Sequence, residues 1–293
     1  MSVVFPLLLG LIQGIAEFLP ISSSGHLALL QAYFGEELRA QVSVTAFSVL
    51  LHAGTLFAVL IAYRKEVCAI AGAITTLPRG FFTEKRRRMA RLHDGEKALV
   101  LVAVGTLPLV ALKAADGLAG RFFGAGLIDA MDLRIAGRPA AVGLILIFNG
   151  ALLYFSEKIG KGEGALEDLK IRGALAIGLF QLFAVLPGLS RSGATFVAGR
   201  MLGLRREEAL RFSFLLSVPA VLGSIIVEVP ELICAQRIGA REAMVFGGAT
   251  AVAFVTGLLS LGLLRRISRK KDLKGFAYYT AGLGVLTLIF DKI

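Results

Sequence analysis

Two short polar segments interrupt apolar sequence, and their residue types suit phosphoryl chemistry. The first runs Leu19-Pro20-Ile21-Ser22-Ser23-Ser24-Gly25-His26. The second runs Leu186-Pro187-Gly188-Leu189-Ser190-Arg191-Ser192-Gly193-Ala194-Thr195. Gln13 and Glu17 lie just upstream of the first, four residues apart and so on one helical face. Arg191 can clamp phosphate oxygens in a bidentate way. Ser190, Ser192, Thr195 and the backbone N–H groups after Gly188 and Gly193 can donate to the remaining oxygens. A helix restarting near Arg191 would aim its N-terminus at the same anion. Ser23 is a nucleophile if Glu17 or His26 takes its proton; alternatively His26 itself attacks, or protonates the leaving group. Glu17 and phosphate oxygens can together hold a divalent cation that neutralises charge.

Each of these residues also has a plainer use. Serine in a membrane helix often bonds its own backbone, yet three in a row before Gly-His exceed that need. Glu17 and Arg191 are costly in apolar surroundings unless they face a wet, protein-lined cavity, and Arg191 cannot shed its charge. Gln13 and Gln181 serve equally well as bridges between helices. His52, in Leu50-Leu51-His52-Ala53-Gly54, reads as packing or a supporting hydrogen bond at least as readily as a direct participant. His93 sits in a basic loop and reads as solvated.

The elements that must position these groups are membrane helices. The chain of 293 residues is 56% hydrophobic and only 18% charged, with a mean hydropathy of +0.76, which excludes an ordinary soluble domain. Residues 1–11 lack a basic leader and read as part of the fold. The net charge of +11 is concentrated in loops between apolar segments, as orientation signals require, so nucleic acid is not an expected partner. Cys68 and Cys234 are far apart, and only three histidines are present, so neither a disulfide nor a histidine cage is supported.

A helical span needs about 20 apolar residues. Segments 42–63, 98–114, 139–155, 208–229, 243–264 and 275–290 qualify as about six full transmembrane helices. Two further apolar regions, 3–35 and 173–204, are broken in the middle by Pro, Gly and Ser. They read as re-entrant helical hairpins, because irregular backbone at membrane depth must line a cavity. Arg64, Lys65, Arg79, Lys85, Arg86, Arg87, Arg88 and Arg91 mark one cytoplasmic loop; Arg265, Arg266, Arg269, Lys270, Lys271 and Lys274 mark another. Residues 157–172 then fall on the same side as a linker.

Following the chain, each half crosses the membrane an odd number of times, so the halves have opposite orientation. The fold expected is an all-α polytopic membrane protein, one domain over 1–293, built as an inverted-topology repeat. Residues 1–155 and 173–293 form the two repeats, each a hairpin followed by three spans. An offset of 168 residues pairs Gly10 with Gly178, Gln13 with Gln181, Ser22 with Ser190, Ser24 with Ser192 and Gly25 with Gly193. Hairpins entering from opposite faces would let their tips meet near the midplane.

At these residues the chain resembles the bacitracin-resistance family of undecaprenyl-diphosphate phosphatases. The resemblance is carried by Gln13-Gly14-Ile15-Ala16-Glu17, the following Phe18-Leu19-Pro20 and Ser-rich run, the unbroken segment from Pro187 to Thr195, and the run from Phe212 to Pro219. It implies a hydrolase of the plasma (inner) membrane. That enzyme removes the terminal phosphate of the polyprenyl diphosphate lipid, recycling the carrier for peptidoglycan synthesis and giving bacitracin resistance. It also implies a divalent cation, Mg2+ or Ca2+, and a site facing the periplasmic side. On this reading Ser23 is the nucleophile, Arg191 the phosphate clamp, Glu17 the base or metal contact and His26 the acid/base partner, with the last two roles exchangeable. Gln13, Ser22, Ser190, Ser192 and Thr195 bind the substrate phosphates. The lipid bilayer is the expected setting, and a homodimer is left open.

Two positions depart from the family pattern. His52 stands where many members have Gln, and Thr280 follows Ala277-Tyr278-Tyr279 where many have Arg. A second class of lipid phosphatase also uses Ser-Gly-His, but needs a His-x3-Asp pair that this chain lacks. The alternative of another kind is a lipid flippase or transporter, since inverted repeats with broken helices are typical of transporters. A bare membrane scaffold does not explain the polar tips.

Overall fold

The computed structural model describes residues 3–34, 44–81, 94–123, 126–159, 162–235, 239–270 and 272–291. Among them the chain forms twelve α-helices. These are α1 (Val4–Phe18), α2 (Ser23–Phe34), α3 (Val44–Ala62), α4 (Arg64–Phe81), α5 (Asp94–Phe123) and α6 (Leu127–Ala136). After them come α7 (Pro139–Ile159), α8 (Ile171–Phe183), α9 (Arg191–Met201), α10 (Arg206–Ala235), α11 (Ala240–Lys270) and α12 (Lys274–Phe290). One 3-10 turn, Leu166–Asp168, lies between α7 and α8.

Four helices carry segments long and apolar enough to cross a membrane: Asp94–Arg121, Pro139–Ile159, Arg206–Val227 and Ala240–Arg269. Counting Phe47–Ala62 with Arg64–Thr75 as one broken span gives five, although the pair bends by 89°. The sixth expected span, 275–290, lies in α12, which has 17 residues and packs along α7. Outward-facing Phe57, Leu107, Phe148, Leu259 and Ile289 are each more than half exposed, which suits lipid and would be a liability in water. The molecule is therefore an all-helical polytopic membrane protein.

One element departs from the loop expected after the first span. Residues 64–81 continue as helix α4, because Val67 and Ile70, three residues apart, find core to pack against. The rest of that basic stretch, with Lys85, Arg86, Arg87, Arg88, Arg91 and His93, lies outside the described residues. So do Val42, Ser43 and Lys271.

The two interruptions share a serine–glycine hydrogen bond on different backbones. Leu19, placed before Pro20, is extended at φ −68° and ψ 137° and ends α1. Ser22 then takes φ +71°, its hydroxyl accepts the N–H of Gly25 at 3.1 Å, and α2 starts. Downstream, α8 gives way to Pro187 and to Gly188 at φ +100°, a conformation that favours glycine. Ser190 caps α9 by accepting the N–H of Gly193 at 3.0 Å. The serine–glycine caps are the residues that the offset of 168 pairs.

Close helix crossings hold the two interrupted segments. Helix α1 packs on α11, and α8 packs on α5. A Cβ at Gly10 would strike the Ala249 carbonyl, and one at Gly178 would strike the Gly105 carbonyl. Small residues thus let backbones approach, as in other membrane bundles. Helix α3 packs between α10 and α11, which brings His52 toward the first break.

Candidate active site

Glu17, in the last turn of α1, is the hub. Its side chain is 8% exposed. One carboxylate oxygen, Oε1, is ion-paired with Arg191 Nη2 from the second break. The other, Oε2, accepts the Ser23 hydroxyl at 2.6 Å and the Gln13 amide at 3.0 Å. Gln13 Nε2 also lies 2.8 Å from His52 Nδ1, and His52 Nδ1 is 3.5 Å from Glu17 Oε2. The amide nitrogen can serve both because it carries two N–H bonds. Gln13 Oε1 is buried and has no hydrogen-bond partner among the described residues.

This arrangement does one thing directly: it aims the Ser23 proton at a carboxylate. A charge-assisted O–H···O− bond of this length is strong, and it raises electron density on Oγ. Arg191 begins α9, so the N-terminus of that helix adds positive potential beside the guanidinium.

His26 faces elsewhere. Its Nδ1 lies 2.7 Å from the Ser22 carbonyl, which only accepts, so Nδ1 carries the proton and Nε2 presents a lone pair. That Nε2 is 2.9 Å from the Tyr279 hydroxyl, which therefore donates to it. The two rings stack with planes 7° apart. Of the two carriers expected for the Ser23 proton, the geometry favours Glu17, and His26 stands beside it on the rim with Tyr279.

The remaining expected site residues divide by exposure. Ser23, His26 and Arg191 are partly exposed and can meet a ligand. Ser22, Ser190, Ser192 and Thr195 are buried. Ser22 and Ser190 cap helices, Ser190 and Ser192 share a contact of 3.1 Å, and Ser192 donates to the Glu17 carbonyl at 3.3 Å. Thr195 donates to the Arg191 carbonyl at 2.8 Å and lies 2.6 Å from the Ser213 hydroxyl. Ser22 holds the first tip, and the other three hydroxyls shape and hold the second. Thr280, at the position where Arg was the expectation, is fully buried and donates to Phe276 O at 2.7 Å.

Two contributors were missed in the sequence. Asn149 of α7, 1% exposed, joins the tips: its Oδ1 accepts the Ser190 N–H at 3.1 Å, and its Nδ2 donates to the Pro20 carbonyl at 3.3 Å. A lone Asn inside the apolar segment 139–155 was the available signal. Tyr279 is the other, and only its place beside the expected Arg drew notice.

Both make predictions. Asn149→Leu leaves two buried backbone groups unpaired, at about 1–3 kcal/mol each, and loosens the tips. Thermal unfolding should show a lower Tm, and kcat should fall about 10- to 100-fold, as for misplaced reacting groups. Tyr279→Phe keeps the stacked ring and deletes one hydrogen bond. Its steady-state rate should fall by a few-fold to about tenfold, the value of one such bond, with Tm unchanged.

The sequence has clear relatives. The family described as bacitracin resistance protein BacA matches residues 6–286. A protein named undecaprenyl-diphosphatase from Korarchaeum cryptofilum is 37% identical over 295 residues, covering 99% of this chain and 100% of its own length. One of the same name from Alcanivorax borkumensis is 37% identical over 284 residues, 97% of each chain. Another, from Methanosphaera stadtmanae, is 35% identical over 297 residues, covering 100% of this chain and 99% of its own.

Proposed function

The chain belongs to the bacitracin resistance protein BacA family, and we propose that, like the relatives so named, it is an undecaprenyl-diphosphatase. It hydrolyses undecaprenyl diphosphate to undecaprenyl phosphate and inorganic phosphate, returning the lipid carrier to peptidoglycan synthesis. The observation that carries the mechanism is the Ser23 hydroxyl held 2.6 Å from Glu17, with Arg191 on the other carboxylate oxygen.

The terminal phosphoryl group enters beside Ser23, and Arg191 turns from Glu17 onto its oxygens. Ser23 Oγ attacks phosphorus as Glu17 takes its proton. The bond to the bridging oxygen breaks, and its electron pair leaves with the lipid phosphate, to which Glu17 passes the proton. Water then attacks the phosphoserine while Glu17 accepts a proton from it. The Ser23 oxygen leaves, regains that proton, and inorganic phosphate departs. One water is consumed. Arg191 and the α9 N-terminus offset charge on the equatorial oxygens in both steps. His26 and Tyr279 form the outer rim, where the lipid phosphate leaves.

A divalent cation, Mg2+ or Ca2+, fits beside Glu17. Glu17 supplies a carboxylate, Gln13 Oε1 a buried oxygen in need of a partner, and the substrate phosphates and water the remaining ligands. When bound it would neutralise diphosphate charge. Among the described residues no group of three or more His, Cys, Asp or Glu is poised to hold a metal, so this cation would bind with the substrate.

The architecture we infer is an inverted repeat with two re-entrant hairpins. It is supported by the paired serine–glycine caps and by the paired crossings at Gly10 and Gly178. On this reading the basic stretch from Arg64 to Arg91 faces the cytoplasm, and the first hairpin opens on the periplasmic side of the plasma membrane. In a variant with Cys68 and Cys234 replaced, Arg87→Cys should react with an impermeant thiol reagent only from the cytoplasmic face. Labelling from outside would reverse the topology.

The enzymatic reading is tested by mixing purified protein with undecaprenyl diphosphate and Mg2+. Release of inorganic phosphate is the expected result. Movement of the lipid between leaflets with no phosphate release would replace it by the transporter reading.

A further inference from the structure

A second polar cavity, of about 460 Å3, lies where α3 turns into α4, beside the start of α10 and the end of α11. It is separated from Glu17 by aromatic rings: Phe18 meets Phe214 edge-on at 5.6 Å, and Tyr63 lies 5.9 Å from Phe214. The catalytic chemistry does not use it.

Its charges do not cancel. Glu208 is paired with Arg205 and Arg211, Glu66 with Arg211, and Glu207 with Arg269. Three cations then face the cavity with no carboxylate partner among the described residues. Arg265 Cζ lies over the Tyr63 ring, 4.1 Å from its centroid, and the side chain donates to the Ala62 carbonyl at 2.9 Å. Arg64 and Lys65 are exposed at the first turn of α4. A cavity lined by unpaired cations at a helix N-terminus suits a phosphate group.

The cavity also leads somewhere. On α4 its lining ends at Glu66, and on α10 at Phe214; the very next residues, Val67 and Leu215, line an apolar groove of about 360 Å3. Val102 of α5 forms a wall, and the groove continues along α10 through Val218 to Leu222. Arg211, Leu215, Val218 and Leu222 recur at helical spacing, so one face of α10 passes from basic to apolar over roughly 17 Å. A basic pocket that opens into a hydrocarbon-lined trough between helices has the chemistry of a lipid, headgroup first and chain after.

We propose that this slot is a binding site for an anionic phospholipid, with the phosphate on Arg64, Lys65 and Arg265 and an acyl chain in the groove. On the orientation inferred above, it draws from the cytoplasmic leaflet. The lipid would brace α4 against α10.

The test uses the whole protein in discs of phosphatidylcholine doped with phosphatidylglycerol, with retained lipids counted by native mass spectrometry. Wild type should keep one phosphatidylglycerol in preference to phosphatidylcholine. The double variant Arg64→Gln/Lys65→Gln should lose that preference by about 10- to 30-fold, the value of two interfacial cations. Leu222→Trp, at a position 41% exposed, should lower retention by crowding the groove. Phosphate release from undecaprenyl diphosphate reports folding, since none of these residues touches the reacting groups. Wild-type retention in the double variant would overturn the site. Displacement of phosphatidylglycerol by inorganic phosphate, with Leu222→Trp behaving as wild type, would assign the cavity to soluble phosphate and overturn the lipid.

Discussion

Replacing Ser23 with alanine is expected to lower phosphate release from undecaprenyl diphosphate by at least about 10^3-fold, as loss of a nucleophile does elsewhere. Ser23 is partly exposed at the first turn of α2, and among the described residues its hydroxyl bonds Glu17 alone. Alanine therefore removes the reacting oxygen and leaves the fold intact: Tm should stay within a degree or two, roughly the effect of an exposed substitution. Substrate binding, held by Arg191, should persist, so the loss should appear in kcat. Ser22 is fully buried and Ser192 is turned to the Glu17 carbonyl, so neither can take the place of Ser23. A Ser23→Ala enzyme with near wild-type turnover would remove Ser23 from the chemistry and turn attention to His26.

Arg191→Ala should cost about 10^2- to 10^3-fold in kcat/KM, the usual loss when one preorganised donor to a charged transition state is deleted. Here the cost has two sources. The phosphate oxygens lose their bidentate clamp, and Glu17 loses its counter-charge while remaining buried. The second source should also appear as a lower Tm. Breaking a buried pair costs about 3–5 kcal/mol, and this one falls toward the lower end because Arg191 is 24% exposed. Arg191→Lys keeps the charge and loses the fork, so it should restore Tm more than turnover. Equal recovery of both by lysine, or unchanged kcat/KM in the alanine variant, would make Arg191 a structural ion-pair partner only.

What could be read from the sequence was local. Gln13 and Glu17 sit one turn apart, and the bond between them is present. Leu19-Pro20 and Pro187-Gly188 announce chain breaks through proline and glycine stereochemistry, and the structure breaks there. The serine–glycine caps were visible as a repeated spacing before their shared geometry was. The contact between Glu17 and Arg191, 174 residues apart in sequence, could be argued only through the duplication.

What escaped was set by long-range packing. Asn149 looks like one polar residue in a span, and its worth comes from two backbone groups that only the assembled tips present. His26 was open to several roles until Ser22 O and Tyr279 Oη fixed its tautomer and direction. The hydroxyls of Ser190 and Thr195 have the right chemistry for phosphate, yet a helix cap and Ser213 take them first. Helix α4 was hidden because charge brackets it, Arg64-Lys65-Glu66 at its start and the basic run from Lys85 after it, although residues 67–78 carry no charge.

The central claim is that Ser23 carries the phosphoryl group between two displacements. It is tested by mixing the protein briefly with undecaprenyl diphosphate labelled in the terminal phosphate, quenching separate samples in acid and in alkali, and mapping the labelled peptide. The account predicts acid-stable label on the peptide containing Ser23, absent from Ser23→Ala. Label that survives only alkali and maps to His26, or turnover without any protein-bound phosphate, would contradict it.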